Sequence, residues 1–196
     1  MSATHARTKP FLRLATAALA TVAALGMAAC SGGAGSGSAT GAQVGDRSPE
    51  QIKEAGEIVI GIFSDKAPFG YIDADGKPAG YDVVYGDRIA ADLGVTAKYV
   101  PVDAAARTEV LASNKVDITL ANFTVTPERA EKVDFANPYF KVSLGVVPPT
   151  SAEITDVSQL AGKTLIVTKG TTAEAYFEAN HPEVKLQKYD QYSDAY

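Results

Sequence analysis

The sequence predicts an α/β protein with largely parallel sheets, divided into two lobes. Three observations carry this. Short apolar runs alternate with stretches of helical periodicity, the pattern of sheets layered with helices. The first run is continuous and β-branched, as a strand buried on both faces is. Finally, Pro148-Pro149 interrupts the series and leaves a shorter set of elements behind it.

Residues 58–63 (IVIGIF) form the first strand, and a turn-rich stretch follows in which Asp75-Gly76 is the clearest turn signal. A helix is predicted over 82–93, with Asp82 as N-cap, an apolar stripe of Ile89, Ala90 and Leu93, and Gly94 as its stop. Residues 97–102 read as a second strand, 107–112 as a short helix and 116–121 as a third strand. A helix opens at Thr126 with Pro127 in its first position, where proline is tolerated. Residues 142–147 are predicted as a fourth strand, closed by the two prolines. Beyond them come a helical turn ending over 159–162, a strand over 164–168, a helix over 172–180 and a strand over 184–189. Residues 192–196 begin like another helix, so the second unit reads as cut short, with too few elements for an independent lobe.

Ahead of the fold lies an address. Arg7, Lys9 and Arg13 precede a weakly apolar Ala- and Thr-rich stretch and then small residues, the layout of a secretory signal. The stretch lacks the roughly 20 clearly apolar residues of a membrane span. Cys30 is the single cysteine, so no internal disulfide can form. Following Met27, Ala28 and Ala29, it resembles a lipobox cysteine, whose acyl chains would anchor the protein to the cell membrane. Met27 stands where leucine is usual, and the alternative is a secreted protein with a stray thiol. The expected organisation is a signal peptide with lipobox cysteine over 1–30, a flexible Gly/Ser-rich linker over 31–49, lobe 1 over 50–147 and a partial lobe 2 over 148–196.

Residues 1–29 hold three basic residues and no acidic one, so the remainder carries 15 Lys and Arg against 23 Asp and Glu, a net charge of −8. An acidic chain argues against nucleic acid as partner and against electrostatic membrane binding, leaving the lipid anchor as the membrane contact. There is no G-x-S-x-G, H-E-x-x-H, P-loop or C-x-x-C, and His181 beside Pro182 reads as a turn residue. No metal or cofactor is expected. A binding protein needs only a cleft and a few well-placed polar groups.

Residues 121–135 (ANFTVTPERAEKVDF) place a strand end, a polar loop and a helix start in succession. Ligands of open α/β sheets bind outside the carboxyl ends of strands, which makes Ala121, Asn122 and Thr124 candidates. Arg129 falls in the first helical turn, where the macrodipole disfavours a cation, so it either meets an anion there or pairs with Glu128 or Glu131. Lys169-Gly170-Thr171-Thr172-Ala173-Glu174 repeats the layout after another strand: Gly170 permits close approach, while Thr171 and Thr172 offer hydroxyls and free N–H groups. Thr171-x-x-Glu174 is equally a capping box that needs no ligand. In the loop after the first strand Phe69 reads as core and Phe63 as a pocket wall; Arg107 either reaches the cleft or pairs with Glu109 or Asp103.

The blocks APFGYIDADGKPAGYDV (67–83), NKVDITLANFTVTPERAEKVDFANPYF (114–140) and LAGKTLIVTKGTTAEAYF (160–177), in this order and spacing, resemble the polar amino-acid-binding proteins of ABC importers. The resemblance implies a two-lobed type II periplasmic-binding-protein fold that closes over one amino acid outside the cytoplasmic membrane. It implies that Arg129 clamps the ligand α-carboxylate, that Asn122 and Thr124 bond the carboxylate and ammonium, and that residues 170–172 complete the carboxylate site. It further implies delivery by a monomer to an ABC transporter permease. The acidic residue that holds the ammonium in this family has no counterpart in the chain. IFSDKAPFGYID and TKGTTAEAYF are similar to cysteine-binding members, and Ala104-Ala105-Ala106 stands where relatives carry an aromatic clamp, which suits a small side chain. Cysteine is the first choice of ligand, with other small or polar amino acids, glutamate among them, left open. Two alternatives share the fold: a periplasmic dehydratase of the cyclohexadienyl dehydratase kind, acting on cyclic carboxylic acids, and a ligand-sensing receptor lobe.

Overall fold

The computed structural model describes residues 43–196; Cys30, the signal stretch and most of the linker lie outside them. Helix α1 (Pro49–Ala55) is opened by a capping box between Ser48 and Gln51. Strand β1 (Glu57–Ile62) follows and is buried along nearly its whole length. A small antiparallel sheet of β2 (Asp65–Lys66), β3 (Gly70–Ile72) and β4 (Pro78–Ala79) leads into helix α2 (Tyr81–Leu93). Then come β5 (Thr96–Pro101), α3 (Arg107–Ala112), β6 (Ile118–Thr119) and α4 (Pro127–Ala130). A 3-10 turn (Val157–Leu160) precedes β7 (Thr164–Thr168), α5 (Thr172–Asn180), β8 (Lys185–Tyr189) and α6 (Tyr192–Ala195).

The main sheet has the order β5-β1-β6, all parallel, with β1 in the middle. Side chains of a strand alternate between faces, and β1 fills two cores in this way. Ile58, Ile60 and Ile62 pack with Val83 and Ala90 of α2. Val59 and, just beyond the strand, Phe63 pack with Val102, Val110 and Val116 on the other side. Both faces being covered explains why the run is continuously apolar rather than alternating. A second parallel pair, β7 with β8, is bridged by α5 and has its own small core of Leu160, Phe177 and Val184.

Three expectations differ from what is observed. Asp82 does not cap α2: the N-cap is Gly80, at φ 112°, and Asp82 lies inside the helix with its side chain fully buried. The turn around Gly80 is packed so tightly on the chain before it that a Cβ there would stand 2.3 Å from the Phe69 carbonyl oxygen. Residues 142–147 form no strand, and Leu144 and Val147 are exposed. Both edges of β1 are taken by β5 and β6, and among the described residues no strand lies beside this run to take up its backbone groups. The end of the expected 31–49 linker is packed on the domain: Val44 packs on the second core, Gly45 N–H donates to Asp117 Oδ1 at 3.0 Å, and Arg47 Nε donates to the same oxygen at 2.9 Å. No helix among the described residues is long and apolar enough to cross a membrane.

Candidate functional site

The carboxyl ends of β1, β6 and β7 converge, and a row of cations and aromatic rings is built there. Phe63 continues β1 and is fully buried. Ala121 and Asn122 continue β6, with Ala121 fully buried and Asn122 in the left-handed region at φ 46°. Gly170 follows β7 and is also left-handed, at φ 71°. Its approach to the loop before α3 is so close that a Cβ would lie 2.4 Å from Ala105 Cα.

Arg107, the first residue of α3, is 3% exposed. Its Nε donates to Ala104 O at 2.8 Å, Nη1 to Ala121 O at 3.0 Å and Asn122 O at 3.1 Å, and Nη2 to Gly170 O at 2.9 Å. A guanidinium has five N–H donors, so carbonyls use nearly all of them. Neither Glu109 nor Asp103 pairs with it. Burial, and then the neighbouring charge of Arg129, push Arg107 down to about 10. Arg129 sits in the first turn of α4, which Thr126 caps by accepting the Arg129 N–H. Its Nη1 donates to Thr124 O at 2.7 Å and its Nη2 to Gly170 O at 2.9 Å. Three of its five donors stay uncommitted among the described residues. It pairs with neither Glu128, which faces Lys132, nor Glu131. Burial lowers its pKa as well.

Of the lobe-2 candidates, Thr171 donates its hydroxyl to Thr168 O at 2.7 Å and accepts the Glu174 N–H at 3.2 Å, so it caps α5. The expected box closes one residue early: the Glu174 carboxylate takes the Gly170 N–H at 2.7 Å. That N–H is therefore not free for a ligand. The side chains of Thr172 and Thr124 make no hydrogen bond among the described residues. His181 stands apart, beside Phe177 and Glu183.

The structure adds residues that spacing alone did not single out. Phe123 lies under both guanidinium groups, 4.5 Å from Arg107 Cζ and 4.7 Å from Arg129 Cζ. Lys66 Nζ donates to Asn122 Oδ1 at 3.1 Å and to Tyr192 Oη at 2.8 Å. Its ammonium lies within 4.2–5.5 Å of the Tyr192, Phe63 and Phe69 ring centres. Burial and then the Arg107 charge bring Lys66 down to about 8. A hint was present in the sequence: a lysine between Ser64-Asp65 and the apolar Ala67-Pro68-Phe69, just past a strand end. Lys66, Arg107 and Arg129 thus form a line of three cations, none in a salt bridge among the described residues. Such an arrangement attracts an anion. Among the described residues no set of acidic, His or Cys side chains could hold a metal.

A wider apolar groove of about 770 Å³ runs under residues 133–142 and reaches the site at Phe69, Asn122, Phe123 and Thr124. Its size does not make it the centre of the chemistry, since neither guanidinium lines it.

Residues 58–192 match the family of bacterial extracellular solute-binding proteins, family 3. The chain is similar to the solute receptor for L-cysteine of Neisseria gonorrhoeae, with 54% identity and a TM-score of 0.74 over 76% of this chain and 62% of that one. It is similar to a cysteine-binding protein from Campylobacter jejuni, with 51% identity and a TM-score of 0.73 over 75% of this chain and 60% of that one. Among curated proteins it is 29% identical over 142 residues to the L-cystine-binding protein TcyJ of Escherichia coli (strain K12), covering 71% of this chain. The chain spans 53% of the length of that relative.

Proposed function

Because the chain belongs to the bacterial extracellular solute-binding proteins, family 3, we propose that it captures a free amino acid, cysteine before others, and delivers it to the permease of an ABC importer. The fold is the type II periplasmic-binding-protein fold, in part. Such a protein works outside the cytoplasmic membrane, and in this reading the acyl chains on Cys30 hold it there as a monomer. It binds and releases its ligand unchanged.

One observation carries the reading: Arg129 keeps spare donors at a strand-to-helix corner, next to a second guanidinium and, among the described residues, without a carboxylate partner. A ligand α-carboxylate supplies the missing charge through a bidentate contact. Arg107, with its donors taken up by Ala104, Ala121, Asn122 and Gly170, shapes the floor and adds positive potential. Phe63 and Ala121, fully buried, pack beneath the site and back it, while Asn122, Thr124 and Thr172 bond the polar end of the ligand. Gly170 and Thr171 bring the second lobe against it. The titration of cysteine into the full-length protein tests this. Arg129→Ala is expected to lose about 2–5 kcal/mol of affinity, because a desolvated carboxylate loses its partner. Unchanged affinity removes Arg129 from the site.

A further inference from the structure

We propose that Lys66 is the specificity-determining residue of this site, holding the ligand's side chain as a thiolate. The inference rests on the amino-acid-binding reading above and goes further, because it assigns the second end of the ligand.

The argument begins with unsatisfied hydrogen-bonding capacity. An ammonium has three donors and no acceptor capacity. Asn122 Oδ1 and Tyr192 Oη take two of them at 3.1 and 2.8 Å; Asp65 and Asp82 lie near enough for their charges to act on the ammonium, but among the described residues no carboxylate bonds its third donor. Whatever meets Lys66 must accept a hydrogen bond or carry negative charge. Distance then restricts the ligand. Asn122 alone spans the two ends: its main-chain carbonyl accepts from Arg107 and its side-chain carbonyl accepts from Lys66. Arg129 shares the Gly170 carbonyl with Arg107, so an amino acid whose carboxylate lies at Arg129 reaches Lys66 across Arg107 and Asn122, which suits a short side chain. The walls restrict it again. Phe63, Phe69 and Tyr192 surround the ammonium, and aromatic edges favour a polarisable sulfur over a hydroxyl.

Charge completes the case. A thiol beside a lysine ammonium ionises more readily than its ordinary pKa of about 8.5 allows. On binding, the S–H bond breaks, the proton leaves to solvent, and the thiolate pairs with the Lys66 ammonium. The hydroxyl of serine does not ionise in this way. The same cation repels basic side chains, so arginine is excluded.

Titration calorimetry of the full-length protein at pH 7, repeated in two buffers of different ionisation enthalpy, provides the test. L-Cysteine is expected to bind at least about tenfold tighter than L-2-aminobutyrate, in which a methyl replaces the thiol, and to release close to one proton. L-2-Aminobutyrate should release none, and L-arginine should not bind. In Lys66→Met the preference should collapse to within about threefold and proton release should vanish, while L-2-aminobutyrate still binds. Lys66→Arg should keep the preference. If Lys66→Met does not fold, as judged by its thermal unfolding, Lys66→Gln is scored by the same two readouts. Equal affinity of the wild-type protein for both ligands, or a full preference and proton release in the folded neutral variant, overturns the proposal. Failure of the wild-type protein to bind any amino acid overturns instead the reading on which it rests.

Discussion

Arg107 and Arg129 donate to one and the same oxygen, the Gly170 carbonyl, each at 2.9 Å. Two like charges share an acceptor that brings the loop after β7 against the ends of β1 and β6. They differ in what else they do. Arg107 is buried and saturated by carbonyls, whereas Arg129 is part-buried with donors to spare. Arg107→Ala should therefore destabilise the fold by about 2–4 kcal/mol, since it strands four carbonyl contacts and opens a cavity. Arg129→Ala should cost less than about 1 kcal/mol of stability. Urea unfolding of the two variants checks the contrast, and equal losses contradict it.

Gly170 combines a left-handed backbone with the closest approach at the site. Gly170→Ala meets the Ala105 backbone, which cannot yield as a flexible side chain can. Ligand affinity should fall by at least tenfold, with a stability loss of about 1–3 kcal/mol from strain and misplacement. Calorimetry and thermal unfolding measure the two together. A variant with native affinity would show that the apposition is dispensable.

Asp82 gives a pH signature. Its Oδ1 accepts the Tyr139 hydroxyl at 3.2 Å, while its Oδ2 is buried with no partner among the described residues. Burial raises its pKa to about 6, against about 3.9 for an unfolded aspartate. Between those values the folded state holds the extra proton, so this residue makes stability fall as pH rises from about 4 to 6. Asp82→Asn keeps an acceptor for Tyr139 and removes the ionisation. The variant should lose that slope and be more stable than wild type at pH 7 by up to about 3 kcal/mol. Unfolding midpoints across this pH range decide it; a wild-type slope retained in the variant refutes the assignment.

The anchoring role proposed for Cys30 is testable apart from the site. Labelled palmitate supplied to cells making the protein should enter wild type and not Cys30→Ser, and the variant should appear in the soluble extracytoplasmic fraction. Equal membrane retention of both counts against the lipid anchor.

Much of the fold was legible because local chemistry and tertiary demand agreed. Thr126 followed by Pro127 marked the start of α4, Gly94 ended α2, and the unbroken apolar run of β1 announced its two covered faces. Where tertiary contacts decide, the sequence was ambiguous. An apolar run such as 142–147 becomes a strand only beside a partner. Asp82 has the composition of a cap, but the turn at Gly80 moves the helix start and buries the carboxylate. Arg107 left two readings open until its carbonyl partners were seen. Lys66 lies 56 residues from Asn122 and 126 from Tyr192, and no local pattern reports such a meeting.

The clasp between Arg47 and Asp117 has a mechanical meaning. Asp117 also accepts the Val59 N–H at 2.7 Å, so one carboxylate ties the residues just ahead of α1 to the middle strand and to the start of β6. A pull arriving along the chain from the N-terminal side meets this tie before helix α1. The domain can thus be tugged from its N-terminal side while the capping turn at Ser48 stays unloaded.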